Sequence, residues 1–80
     1  MTEVSATVSL ARVAGEDPVL IAEQTVGHRY RAVRIESSED TREGGRHIVS
    51  VRFLTPMTER QILSLRPDFR IGIISMKEAS

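Results

Sequence analysis

Eighty residues without a cysteine bound this chain to a single domain, residues 1–80, that folds without disulfides or thiolate-held metal. Lysine plus arginine and aspartate plus glutamate each total 11, so the formal net charge is zero and the basic excess of a dedicated nucleic-acid binder is missing. No apolar run approaches the ~18 residues of a membrane span. Met1-Thr2-Glu3-Val4-Ser5 lacks the basic and then apolar pattern of a secretory signal, so a cytoplasmic protein is expected.

From the N-terminus, Val4-Ser5-Ala6-Thr7-Val8-Ser9-Leu10 alternates apolar and small polar side chains, the period of a strand with one buried face. Ala14-Gly15-Glu16 interrupts it. Asp17-Pro18 then supplies an N-cap residue and a proline for the first helical position. Residues 19–26 hold good helix formers, and Gly27 is a natural stop. The same stretch could form a hairpin with the first strand, but helix is the favoured reading.

Residues 29–37 read as a second strand, with Val33 and Ile35 on one face. Ser38-Glu39-Asp40-Thr41-Arg42-Glu43-Gly44-Gly45 reads as a polar turn. From Arg46 a third strand alternates cleanly, His47, Val49, Val51 and Phe53 against Arg46, Ile48, Ser50 and Arg52. Pairing across the turn sets Glu36 opposite Arg46 and Tyr30 opposite Arg52. Thr58-Glu59-Arg60-Gln61 matches a capping box for a second helix, which Arg66-Pro67-Asp68 ends. Phe69, Ile71 and Ile73 then alternate as a last strand, and residues 76–80 form a tail.

The order strand, helix, strand, strand, helix, strand predicts an α+β fold, a ferredoxin-like βαββαβ sandwich with both helices on one face of an antiparallel sheet. Its ordered part spans about residues 4–76. The expected core is Val4, Ala6, Val8, Leu10, Val33, Ile35, Val49, Val51, Phe53, Phe69, Ile71 and Ile73. Should residues 19–26 be a strand, the alternative is a mostly-β five-stranded sheet or partial barrel with one helix.

The other sheet face is the expected contact surface. Alternation places Tyr30, Arg34, Arg46, Ile48, Arg52, Arg70, Ile74 and Met76 there, around the small residues Ser5, Thr7, Ser9, Ala32 and Ser50. Its apolar members favour a second copy or a protein partner, and its arginines a small anionic ligand. Bases stacking on such a sheet need aromatics on the two middle strands, and those positions hold Ser, Thr, Ile and Arg, which argues against nucleic acid.

No catalytic constellation emerges. His28 and His47 fall in different places with no metal-ligand spacing, and His47 reads as a semi-buried, hydrogen-bonded side chain. The acids around Arg42 lie in an exposed turn, without the shaped pocket that acid–base pairs need. No cofactor or metal is expected. The better-placed ligand candidate is Gly15, Glu16 and Asp17 at the first strand–helix turn, where N–H groups attract anions and Gly15 permits close approach; simple capping by Asp17 explains the same residues.

The element order, with Glu16-Asp17-Pro18-Val19-Leu20 opening the first helix, resembles the ACT domain, a small regulatory ligand-binding fold. Arg34-Ile35-Glu36-Ser37-Ser38-Glu39-Asp40 followed by Gly45-Arg46 also looks like the soluble tail of MgtC/SapB-type proteins. The resemblance implies regulation or oligomerisation through paired sheets, with effectors near Gly15 and Asp17 at a subunit interface. The sequence expectation is therefore a non-catalytic regulatory or interaction domain, acting as a homodimer or by small-ligand binding. The alternatives are a small phage-type inhibitor or adaptor docking through its arginine-bearing face and, third, a weak nucleic-acid binder.

Overall fold

A computed structural model describes residues 1–11 and 14–79. The elements are β1 (Thr2–Leu10), α1 (Pro18–Tyr30), β2 (Arg34–Glu43), β3 (Arg46–Thr55), α2 (Glu59–Leu63) and β4 (Ile71–Glu78). The strands form one antiparallel sheet in the order β2-β3-β1-β4. With two helices packed on one face, this is a small α+β fold compatible with the ferredoxin-like arrangement. Residues 19–26 are helical, which removes the five-stranded alternative.

β1 sits between β3 and β4, and its alternation sorts as the pattern requires: Thr2, Val4, Ala6, Val8 and Leu10 are buried on the helix side. Val49, Val51 and Phe53 of β3 extend that surface. α1 covers it with a stripe one turn apart, Ala22, Val26 and Tyr30. Asp17 caps the helix by accepting from the Val19 N–H at 2.9 Å. α2 is a single turn closed by the expected capping box: the Thr58 hydroxyl accepts from the Gln61 N–H at 3.1 Å, and the Gln61 side chain accepts from the Thr58 N–H at 2.9 Å. It adds Ile62 to the core.

Several expected boundaries are corrected. α1 runs through Gly27 and ends at Arg31 in the left-handed conformation, φ 55°. A mid-helix glycine costs about 1 kcal/mol relative to alanine. Continuing one more turn buries Tyr30, whose ring stacks on Phe53 at 5.7 Å between centroids. A ring of this size removes roughly 150–250 Å² from water, about 4–6 kcal/mol at ~25 cal/mol/Å², so burial wins. Thr55 locks this end, donating from its hydroxyl to the Tyr30 carbonyl at 2.5 Å.

β2 accordingly begins at Arg34 and continues to Glu43, leaving Gly44 and Gly45 alone in the turn. Both glycines have positive φ, 56° and 80°, as a two-residue type I′ hairpin requires. Glu43 faces Arg46, and a bulge between Ile35 and Ser37 sets Ser37, not Tyr30, opposite Arg52. Glu36 lies in that bulge rather than opposite Arg46.

The last strand is corrected too. Phe69 is fully exposed, because Asp68 accepts from the Arg70 N–H at 2.9 Å and its carbonyl accepts from Ile71, making a turn that throws Phe69 outward. Val33 precedes its strand and is also exposed. The strand continues through Met76 to Glu78 where a tail was expected; Ser80 lies outside the described residues. No helix among the described residues is long and apolar enough to cross a membrane.

Candidate interaction surface

The sheet face away from the helices is read directly from the register. β1 contributes Glu3, Ser5, Thr7 and Ser9; β3 contributes Arg46, Ile48, Ser50, Arg52 and Leu54. β2 adds Ser37, Glu39 and Thr41 across from Arg52, Ser50 and Ile48. In the middle, Ser5, Ser37 and Ser50 floor a shallow depression of about 320 Å³, walled by Glu39, Arg52 and Ile74. The floor is low because these side chains are small.

Five of the eight expected contact residues are exposed or half-buried in places compatible with this surface: Arg34, Arg46, Ile48, Arg52 and Ile74. Three are not. Tyr30 is helical and buried against Phe53. Met76 is half-buried against the helix-side core, because a bulge between Ser5 and Ala6 leaves Ile74 unpaired and reverses the facing of everything after it. Arg70 precedes β4 and grips Asp68, Nε to Oδ1 at 3.2 Å and Nη2 to Oδ2 at 2.9 Å.

Several charges on this face already have partners. Glu3 lies 3.6 Å from Arg52 and 3.7 Å from Lys77, and Arg46 donates to the Ser9 hydroxyl at 2.9 Å. Exposed contacts of this kind contribute ~0–1 kcal/mol each, but they occupy the arginines expected to meet a partner. Glu3 is the residue that alternation alone could have found, since it shares a face with Ser5.

At the first strand–helix turn, Gly15 has φ 74° and, with Glu16 and Asp17, is exposed. The Asp17 carboxylate is spent on the helix cap. His47 is half-buried, as expected, with Nδ1 at 2.9 Å from Asp40. Among the described residues no three His, Asp or Glu side chains converge as a metal site would require.

The two free sheet edges differ. β2 carries Arg34, Glu36, Glu39, Asp40, Arg42 and Glu43 along its edge, together with the bulge at Glu36; charges and bulges are the usual protection against edge pairing. β4 is uncharged from Ile71 to Met76. Its helix-side residues Ile71, Ile73 and Met76 are only half-buried, since a one-turn α2 cannot roof them, and Ile74 on the other side is 68% exposed. β4 is therefore the more apolar of the two sheet edges.

Comparison with protein-family models, with curated proteins and with solved structures finds no match to this chain.

Proposed function

We infer that this chain is a non-catalytic interaction domain of ferredoxin-like type that works as a homodimer, two copies meeting along β4. The observation that carries the reading is the contrast between edges: one guarded by six charged side chains, the other flanked on both sides by incompletely covered isoleucines and methionine. A second copy laid along β4 would shelter Ile71, Ile73 and Met76 on the helix side and Ile74 on the other. The bulge at Ile74 keeps the edge from being a uniform template, which favours a closed pair over open-ended addition. Regulation of the ACT-like kind fits such a pair. An adaptor docking through the open face is less favoured, because Arg46 and Arg52 already have partners there.

Light scattering on a size-exclusion column across protein concentration tests this. The expected outcome is a dimer that dissociates on dilution, and that Ile74→Lys weakens by about tenfold or more while the circular dichroism spectrum stays unchanged. A strict monomer at the highest concentration reached would end the proposal.

A further inference from the structure

On the helix side of the molecule, away from the open sheet face, a cleft of about 510 Å³ opens between α1 and the segment leading into β4, lined by Thr25, His28, Arg29, Leu65, Asp68 and Arg70. Its volume falls in the range of small-molecule sites, roughly 300–1,000 Å³. The charges lining it are unequal in their engagement. Asp68 is saturated by Arg70, which meets it through the guanidinium and the backbone N–H. Arg29 is half-buried and forms no ion pair among the described residues. Its Nη2 donates to the Arg66 carbonyl and its Nε lies 3.2 Å from the Tyr30 hydroxyl. These neutral partners hold the guanidinium in place and leave some of its five N–H donors free, and Asp68, which also feels the Arg29 charge, is shared with Arg70.

With Asp68 offsetting Arg70, Arg29 leaves these three side chains one net positive charge. A monoanion matches that balance. A phosphate dianion would meet the Asp68 carboxylate with a second negative charge of its own. The Thr25 hydroxyl donates to the Ile21 carbonyl at 2.7 Å, so it offers the cleft an acceptor, not a donor. Leu65 supplies an apolar wall. We propose that this cleft binds a small organic carboxylate, its carboxylate group on Arg29 and its apolar part against Leu65. The N–H groups on Nη1 and the second one on Nη2 remain to receive a carboxylate end-on.

Titration of the isotope-labelled protein with benzoate, acetate and inorganic phosphate at low salt, followed by amide chemical shifts, tests the assignment. Benzoate should move the amides of Thr25, His28, Arg29 and Leu65 with a saturable curve, acetate should bind there more weakly, and phosphate should bind weakest. Arg29→Gln should weaken benzoate by about tenfold or more, the loss expected for a charge-assisted hydrogen bond. Because Arg29 also secures the Arg66 carbonyl, Asp68→Asn serves as a second variant. Removing the acid should tighten benzoate about threefold or more and admit phosphate. Shifts confined to residues 14–17, no saturable shift at ~10 mM benzoate, where binding would be weaker than about 3 kcal/mol, or an unchanged affinity in both variants would each overturn the assignment.

Discussion

Gly27 lies inside α1 with no heavy atom within 4 Å of where a Cβ would stand, and its φ is outside the left-handed region. Neither space nor backbone geometry requires glycine there. Gly27→Ala should stabilise the fold by about 0.5–1 kcal/mol, raising the melting temperature by roughly 2–8 °C for a domain of this size. A scan showing no gain would mean the helix does not pass through this residue. Gly44 and Gly45 have equally open surroundings, but φ values of 56° and 80°. Alanine at Gly45 should therefore destabilise by about 1 kcal/mol or more. The three glycines look alike in the sequence, and only the backbone each must adopt separates them. Asp68 makes a second residue-scale test. Hydrogen bonds from Arg70 hold its carboxyl below its ordinary value of 3.8, at about 2. Since the folded-state value is the lower, the contribution of this pair is fully present above pH about 3.8 and is lost as the pH falls toward about 2. Acid unfolding of Asp68→Asn should lack that component, and identical acid profiles for the two proteins would contradict it.

At the scale of elements, α1 and the β2–β3 hairpin show where a sequence reading stops. β1 and β3 were legible because one face of each is packed against the helices, so burial writes a period of two into the chain. β2 is an edge strand, and after Ile35 its helix-side positions are Ser38, Asp40 and Arg42. With no apolar alternation and a protective run of charges, a strand looks like a long turn. Ser38 has a partner on α1, donating to Glu23 at 2.5 Å, and Asp40 has one in His47; neither leaves a mark in local sequence. The bulges at Glu36 and Ile74 are likewise invisible, yet each reverses the facing of every residue beyond it. That is why Met76 was expected on the open face and why the depression beside Ser37 and Glu39 was missed. The expected place of Tyr30 on the open face failed for a different reason: Gly27 suggested a stop, and the stacking on Phe53 that overrides it is a long-range contact. Tyr30→Ala should thus cost about 3–5 kcal/mol, the range for truncating a buried aromatic, measured by urea unfolding. A solvent-facing tyrosine would cost well under 1 kcal/mol, and a value that small would return Tyr30 to the surface.

For the molecule as a whole, the decisive asymmetry is between a well-roofed half and a thinly roofed one. α1 closes over Val26, Tyr30, Val49 and Phe53, all essentially out of contact with water. The single turn of α2 and the segment after it leave Ile71, Ile73 and Met76 half-covered, with Leu63 exposed. A domain of this length has little stability in reserve, so burial gained by pairing along β4 should register as stability as well as mass. Anything that binds the native state alone raises the melting temperature as its concentration rises. The melting temperature of the unmodified chain should therefore climb with protein concentration, by several degrees over a hundredfold range if the pair is tight. Ile74→Lys should show that climb only from about tenfold higher concentration upward, and should match the unmodified chain when both are dilute. That last comparison separates a contact between copies from a contact within one, because an intramolecular role for Ile74 would lower the melting temperature at every concentration alike. A melting temperature independent of concentration in the unmodified chain would leave the β4 edge solvated and remove the dimer.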